Sequence, residues 1–147
     1  MITITRAQPE DVSVIIPLFD AYRCFYHQSS DVKNAAAFLN ERLTNDQSVI
    51  FIAWNEHKAI GFTQLYPIFS SVSMRTAWLL NDLYVDESMR KEGIGTKLLD
   101  AAKAFGKEQK SKWLMLQTGA DNKPAQAAYE KHGWVRESDF FYTLGLE

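Results

Sequence analysis

The stretch from Ala77 to Lys110 constrains the fold more than any other part of the chain. Ala77–Val85 reads as a strand that is apolar on both faces except at Asn81 and Asp82. A strand without a polar face is covered on both sides, the habit of an inner strand in an α/β sheet. A short polar link, Asp86-Glu87-Ser88-Met89, leads into Arg90-Lys91-Glu92-Gly93-Ile94-Gly95-Thr96 and then a helix over 93–110. In that helix Ile94, Leu98, Ala101, Ala102 and Phe105 form one apolar stripe, and Lys97, Asp100, Lys103 and Lys107 lie outside it. Trp113–Thr118 reads as a short buried strand, so the helix is a crossover between two strands.

The remaining elements fit around this unit. Residues 1–7 alternate like a strand. Asp11 to Phe25 reads as a helix, with Pro17 predicting a kink or two shorter pieces. Residues 31–44 read as a second helix, capped by Asp31, with Val32, Ala36, Leu39 and Leu43 on one face. Ser48–Trp54 and Ala59–Phe69, joined by the polar turn Asn55-Glu56-His57-Lys58, read as a hairpin. Pro124–His132 reads as a helix closed by Gly133 in the left-handed position. Residues 135–146 are expected to hold one or two final strands. The whole is an α/β mixture in one domain, residues 1–147, with hairpins first and crossover helices later.

Two glycines at the mouth of a helix let the backbone approach a ligand closely. The unpaired N–H groups of the first helical turn and the helix dipole attract an anion. Arg90 and Lys91 add positive charge. This is the physics of a pyrophosphate cradle, although a glycine-containing turn into an ordinary helix has the same appearance. The segment lacks the Gly-Lys-Ser/Thr of a nucleotide P-loop and the three spaced glycines of a dinucleotide fingerprint, which argues against a nucleotide-binding domain.

Arg90-x-x-Gly93-x-Gly95 after Asp82-Leu83-Tyr84-Val85, followed later by Asn122-Lys123-Pro124-Ala125-Gln126-Ala127-Ala128-Tyr129-Glu130-Lys131-His132-Gly133-Trp134, resembles the two landmarks of the GNAT superfamily of N-acetyltransferases. The match is sharp over residues 79–135, and the element order resembles the superfamily throughout. Its wording is most similar to the branch of diamine and histone-acetyltransferase-like small proteins. The resemblance implies a mixed sheet of six or seven strands flanked by about four helices, with two central parallel strands, 77–85 and 113–118, splayed at a bulge. It implies acetyl-CoA as co-substrate, without a metal. Leu83, Tyr84 and Val85 would flank the pantetheine arm through their backbone, with an N–H near Leu83 polarising the thioester carbonyl. Arg90, Lys91, Gly93, Ile94, Gly95 and Thr96 would hold the pyrophosphate. Asn122 would cap its helix or bond the pantetheine arm, and Tyr129 would protonate the departing thiolate. Glu92 departs from the basic or glycine filler that is commoner there, and its carboxylate must point away from the phosphates. Dimers are common in the superfamily, and Phe140-Phe141-Tyr142-Thr143-Leu144 is apolar enough for a shared strand or interface.

The acceptor side is less specific. An alkylammonium must lose a proton before it attacks, its ordinary pKa being about 10.4. Asp82, a carboxylate in an apolar strand, is the candidate base, or the anchor of a second ammonium group. Asn81 stands where relatives often place their carboxylate. Tyr22 and Tyr26, with Phe25, offer aromatic faces to a cationic amine, although Phe25 and one tyrosine also suit the core. The expected acceptor is a primary amine, of a polyamine-like small molecule or of a protein lysine, with amino acids and aminoglycosides equally open on the sequence. A non-catalytic acyl-CoA-binding regulatory module is the competing reading.

Composition narrows the setting. A net charge of −2 over 147 residues gives no electrostatic footprint for nucleic acid. No apolar run reaches the ~18 residues of a membrane helix, and the N-terminus does not read as a signal peptide. The single cysteine, Cys24, fits a reducing, cytoplasmic compartment and is expected to be buried and structural. His27, His57 and His132 are scattered without metal-ligand spacing.

Overall fold

A computed structural model describes all 147 residues, which fall into two compact units, Met1–Leu116 and Gln117–Glu147. The first unit holds a five-stranded sheet in the order β1-β2-β3-β4-β5. β1 is Ile2–Arg6, β2 Val49–Asn55, β3 Lys58–Ser70, β4 Arg75–Val85 and β5 Leu114–Met115. The first four pair antiparallel in chain order, and only β4 and β5 run parallel. The helices of this unit are α1, Val12–Phe25, α2, Val32–Thr44, and α3, Ile94–Glu108.

The helices cover both faces. α1 and α2 bury Val12, Ile15, Leu18, Phe19, Ala35, Leu39 and Leu43 against Ile50, Ile52 and Phe62. α3 buries Ile94, Leu98, Leu99, Ala102 and Phe105, and Phe105 packs on Phe51 and Trp78 at 5.9 and 5.0 Å between ring centroids. Each large aliphatic side chain so buried stabilises by about 1.5–3 kcal/mol relative to exposure. No helix is long and apolar enough to cross a membrane.

Several expectations need correction. The sheet has five strands rather than six or seven. Residues 135–146 form no strand, because no neighbouring strand pairs with them and their apolar side chains stay exposed. The strand expected over 113–118 keeps only Leu114 and Met115, since β4 offers partners at Trp78 and Leu79 alone. Pro17 lies inside one continuous helix, which absorbs the loss of a single backbone donor. In α2 the core position is Ala35, whereas Val32 is exposed at the first turn. Cys24 and Phe25 are exposed too, because the last turn of α1 runs beyond the edge of the core.

The second unit contains α4, Lys123–Lys131. The Asn122 side chain caps it, accepting from the Ala125 N–H at 3.3 Å, and Pro124 occupies the first turn, where a missing N–H costs nothing. Gly133 ends it at φ 91°, a conformation that favours glycine.

Candidate active site

β4 changes its hydrogen-bonding direction at one residue. Leu80 opposes Leu65 and Asp82 opposes Gln64, so Asn81 is an extra residue without a partner on β3. Such a bulge shifts the alternation that governs which way each backbone unit points. Before it, Trp78 points toward β5, its N–H donating to the Trp113 carbonyl at 3.1 Å. After it, the Asp86 N–H donates to the Ile60 carbonyl at 2.8 Å, so alternation turns Asp82 and Tyr84 toward β3 as well. Leu83 and Val85 then face the other side. There β4 has no ladder partner, because its pairing with β5 ends at Leu79. The backbone of Leu83 and Val85 thus lies beyond the last β4–β5 pair, on the side of β4 turned from β3.

Beyond β4 the chain turns into α3. Gly93 is the N-cap at φ 75°, which glycine adopts without strain. Lys91 also has positive φ, 70°, and is exposed. The first helical backbone bond is donated by Lys97 to the Gly93 carbonyl, leaving the N–H groups of Ile94, Gly95 and Thr96 without intrahelical partners. A Cβ placed on Gly95 would meet nothing within 4 Å. Packing therefore does not require glycine there, while unpaired N–H groups at a helix start suit an anion. Arg90 is exposed at this loop. Its Nε donates to the Val85 carbonyl at 2.9 Å, and its guanidinium lies 5.4 Å from the Tyr84 ring and 5.6 Å from that of Phe25. It braces the loop against the end of β4. Glu92 is exposed.

On the α1 face of the sheet a polar cluster surrounds Asp82, which is 2% exposed. Gln64 Nε2 donates to Asp82 Oδ2, and Asn81 Nδ2 donates to Asp82 Oδ1 at 2.8 Å. Thr63 Oγ1 donates to the Asp82 carbonyl at 2.7 Å. The cost of burying this carboxyl is thus met in part by amide donors within the protein. Burial still pushes its pKa above the ordinary value, with the two amides opposing the shift. The Tyr22 hydroxyl donates to the Asn81 carbonyl at 3.2 Å. Burial and the Asp82 charge both push the Tyr22 and Tyr66 hydroxyls to higher pKa. Gln64 and Tyr66 were not singled out from the sequence. The available signal for Gln64 was the one used for Asp82, a polar residue in an apolar strand. Gln64 Oε1 is buried without a hydrogen-bond partner.

Tyr26 is exposed and meets Tyr22 edge to face, with centroids 5.1 Å apart. The first unit therefore brings together Tyr22, Tyr26, Asn81, Asp82, the end of β4 and the start of α3. Asn122 and Tyr129 belong to the second unit. There Tyr129 stands 6.2 Å from Trp134 between ring centroids, and its carbonyl accepts from the Trp134 N–H at 3.0 Å. No cluster of three or more His, Cys, Asp or Glu side chains is placed to hold a metal.

Residues 15–134 match the acetyltransferase (GNAT) family. An uncharacterized N-acetyltransferase of Bacillus subtilis, YhfO, is 46% identical over 139 residues, 95% of this chain and 93% of that one. A crystal structure of a probable acetyltransferase is 36% identical, with a TM-score of 0.93 over 99% of this chain and 98% of the other. At 18% identity, a predicted acetyltransferase from Clostridium acetobutylicum, crystallised with acetyl-CoA, shares the fold with a TM-score of 0.79 over 98% of this chain and 96% of its own.

Proposed function

Because the chain belongs to the GNAT family of acetyltransferases, we propose that it moves the acetyl group of acetyl-CoA to a primary amine, either of a polyamine-like small molecule or of a protein lysine. The amine attacks directly while both substrates are bound. The observation that carries this reading is the bulge at Asn81, beyond which Leu83 and Val85 turn from β3 where the β4–β5 pairing has ended, followed in the chain by the left-handed Gly93 at the start of α3. The coenzyme supplies an activated thioester, and the residues supply its holding and the proton traffic.

The Leu83 and Val85 backbone takes the amides of the pantetheine arm, with the Leu83 N–H as the donor to the thioester carbonyl. Tyr84 supports the end of β4 by carrying the Arg90 guanidinium on its ring. Gly93, Ile94, Gly95 and Thr96 offer N–H groups to the pyrophosphate, and exposed Lys91 adds charge. Arg90, exposed beside it, adds a second cation to the same cradle. Asn122 holds the frame of α4, and Tyr129 donates the proton to the departing thiolate. A thiol with ordinary pKa near 8.5 and a tyrosine near 10 make that transfer nearly balanced.

Tyr22 and Tyr26 present aromatic faces to the cationic amine. Asn81 is exposed, and its Nδ2 is held by the Asp82 carboxylate. The opposite amide orientation would set oxygen against oxygen, so Oδ1 is left as a hydrogen-bond acceptor for the amine. Asp82, with both oxygens engaged, acts through Asn81, and its negative charge favours an amine that arrives as a cation. Deprotonation then falls to solvent.

The family match crosses both compact units, which supports one N-acetyltransferase domain over residues 1–147. A single free cysteine supports a cytoplasmic setting. A homodimer completes the reading. The competing reading, a non-catalytic acyl-CoA-binding module, is separated by thiol release from acetyl-CoA over a panel of monoamines, diamines, polyamines and lysine peptides. Turnover is expected with at least one class, and Tyr129→Phe is expected to lower kcat by roughly 10²-fold with coenzyme affinity kept. Coenzyme binding without turnover on any amine would favour the regulatory module.

A further inference from the structure

The hairpin of β3 and β4 outruns the rest of the sheet. β2 pairs with β3 only as far as Leu65, and β5 pairs with β4 only at Trp78 and Leu79. Ile68, Phe69 and Ser70, opposite Ala77, Thr76 and Arg75, therefore form a two-stranded arm beyond both neighbours. At its tip Phe69, Val72 and Met74 are 77%, 98% and 89% exposed. Apolar side chains gathered on a projecting turn have no core to join, and such a patch marks a docking surface.

The level behind the tip is cationic. The Arg75 guanidinium donates to the Lys110 carbonyl at 2.7 Å, and the Lys112 N–H donates to the Thr76 carbonyl at 2.9 Å. These bonds tie the end of α3 and the segment after it to the base of the arm. Lys103 and Lys107 share a face of the last turns of α3. Both are exposed, as are Arg75, Lys110 and Lys112. Glu108 is the one acid from Ala101 to Lys112, and no acid occurs from Lys58 to Asn81. A chain of net charge −2 thus concentrates positive charge at this end. All of these residues belong to the first unit.

We propose that this end of the first unit docks on an anionic lipid surface. Phe69, Val72 and Met74 enter the boundary between headgroups and acyl chains, and the cations behind them face the lipid phosphates. The dimensions agree. A strand rises ~3.3 Å per residue, so Thr76, to which Lys112 is tied, stands about 10 Å behind the apex of the turn. Interfacial apolar groups enter by about 5–10 Å, which leaves these cations at headgroup level. A second copy does not fit this surface, because a two-fold contact would set the cations against themselves. Nucleic acid would answer the charge and leave Val72 and Met74 in water. β4 runs away from the arm to Val85, and α3 runs toward it from Ile94, so the Asp82 cluster and the start of α3 lie at the opposite ends of the same elements. A docked molecule keeps them turned to water. This inference stands apart from the catalytic reading.

Cosedimentation of the full chain with vesicles tests it. Vesicles of phosphatidylglycerol and phosphatidylcholine in equal parts should bind the chain roughly 10-fold or more tighter than phosphatidylcholine alone. The variant Lys107→Glu, Lys112→Glu should bind them roughly 25-fold weaker, at about fivefold for each cation. Val72→Asp, Met74→Asp should stay folded by circular dichroism, since both sites are exposed and Asp tolerates the positive φ of Met74, 51°. It should bind the mixed vesicles roughly 10-fold weaker or more. A second measurement locates the tip. In a Cys24→Ser background, an environment-sensitive dye on Val72→Cys should shift to the blue with the mixed vesicles and be quenched by spin-labelled lipid. No binding to the mixed vesicles, equal binding to both compositions, tip variants that bind like wild type, a dye that stays in water, or tighter binding to polyuridylate than to vesicles would each overturn the proposal.

Discussion

Asp82 makes a test at the scale of one side chain. Its native pKa is raised above the ordinary 3.8, and burial is the largest cause. A raised carboxyl binds its proton more tightly when folded. Its contribution to stability is therefore fully present below the unfolded pKa and is lost as pH rises through the native one. The stability of wild type relative to Asp82→Asn should fall from acid toward neutral pH and then level off. Urea denaturation at a series of pH values reads this directly, and a difference that stays constant across that range would remove the linkage. The reasons for Asp82 were only half legible in the sequence. A carboxylate in an apolar strand announced itself, but its partners did not. Gln64 is distant in the chain and meets Asp82 only because the bulge sets their register. Cys24 misled in the opposite way, since burial statistics for cysteine say nothing of which turn of α1 overhangs the core.

Among the elements, the entry to α3 is the most exposed to test. Gly93 is required by its φ of 75°, while Gly95 is required by nothing inside the protein. Gly95→Asp should therefore fold with near wild-type stability and lose acetyl-CoA binding by calorimetry, because a carboxylate enters the space above the free N–H groups. Gly93→Ala should instead lower stability by about 1 kcal/mol through backbone strain. Unchanged coenzyme affinity in folded Gly95→Asp would end the assignment of the cradle. This element was legible because its signals are local: a glycine pair, a charged lead and a stripe of period 3.6. The caps at Asp31 and Asn122 and the stop at Gly133 were legible for the same reason. The final strands were not. A strand needs a partner, and the alternation in residues 135–146 says nothing of where one lies. The bulge expected in this strand came from resemblance to a family, and no pattern in residues 77–85 places it at Asn81.

For the molecule as a whole, coenzyme binding and stability are linked. A ligand at 100 times its Kd stabilises the folded state by about 2.7 kcal/mol, which for a chain of this size raises Tm by several degrees. Acetyl-CoA should do this, while ATP and NAD at equal concentration should give much smaller shifts. Equal shifts from all three would point to a general nucleotide site. The bulge has a further consequence for how this protein tolerates change. Leu80 and Asp82 oppose consecutive residues of β3, Leu65 and Gln64, so Asn81 is length that the pairing does not use. Substitution at position 81 alters one side chain. Deletion of that single residue would let Leu80 and Asp82 follow one another in an unbroken ladder, with Asp82 still opposite Gln64. What would vanish is the local bend and the amide that Asn81 holds against the Asp82 carboxylate. The pairing would thus survive the loss of a residue that the shape of the strand would not.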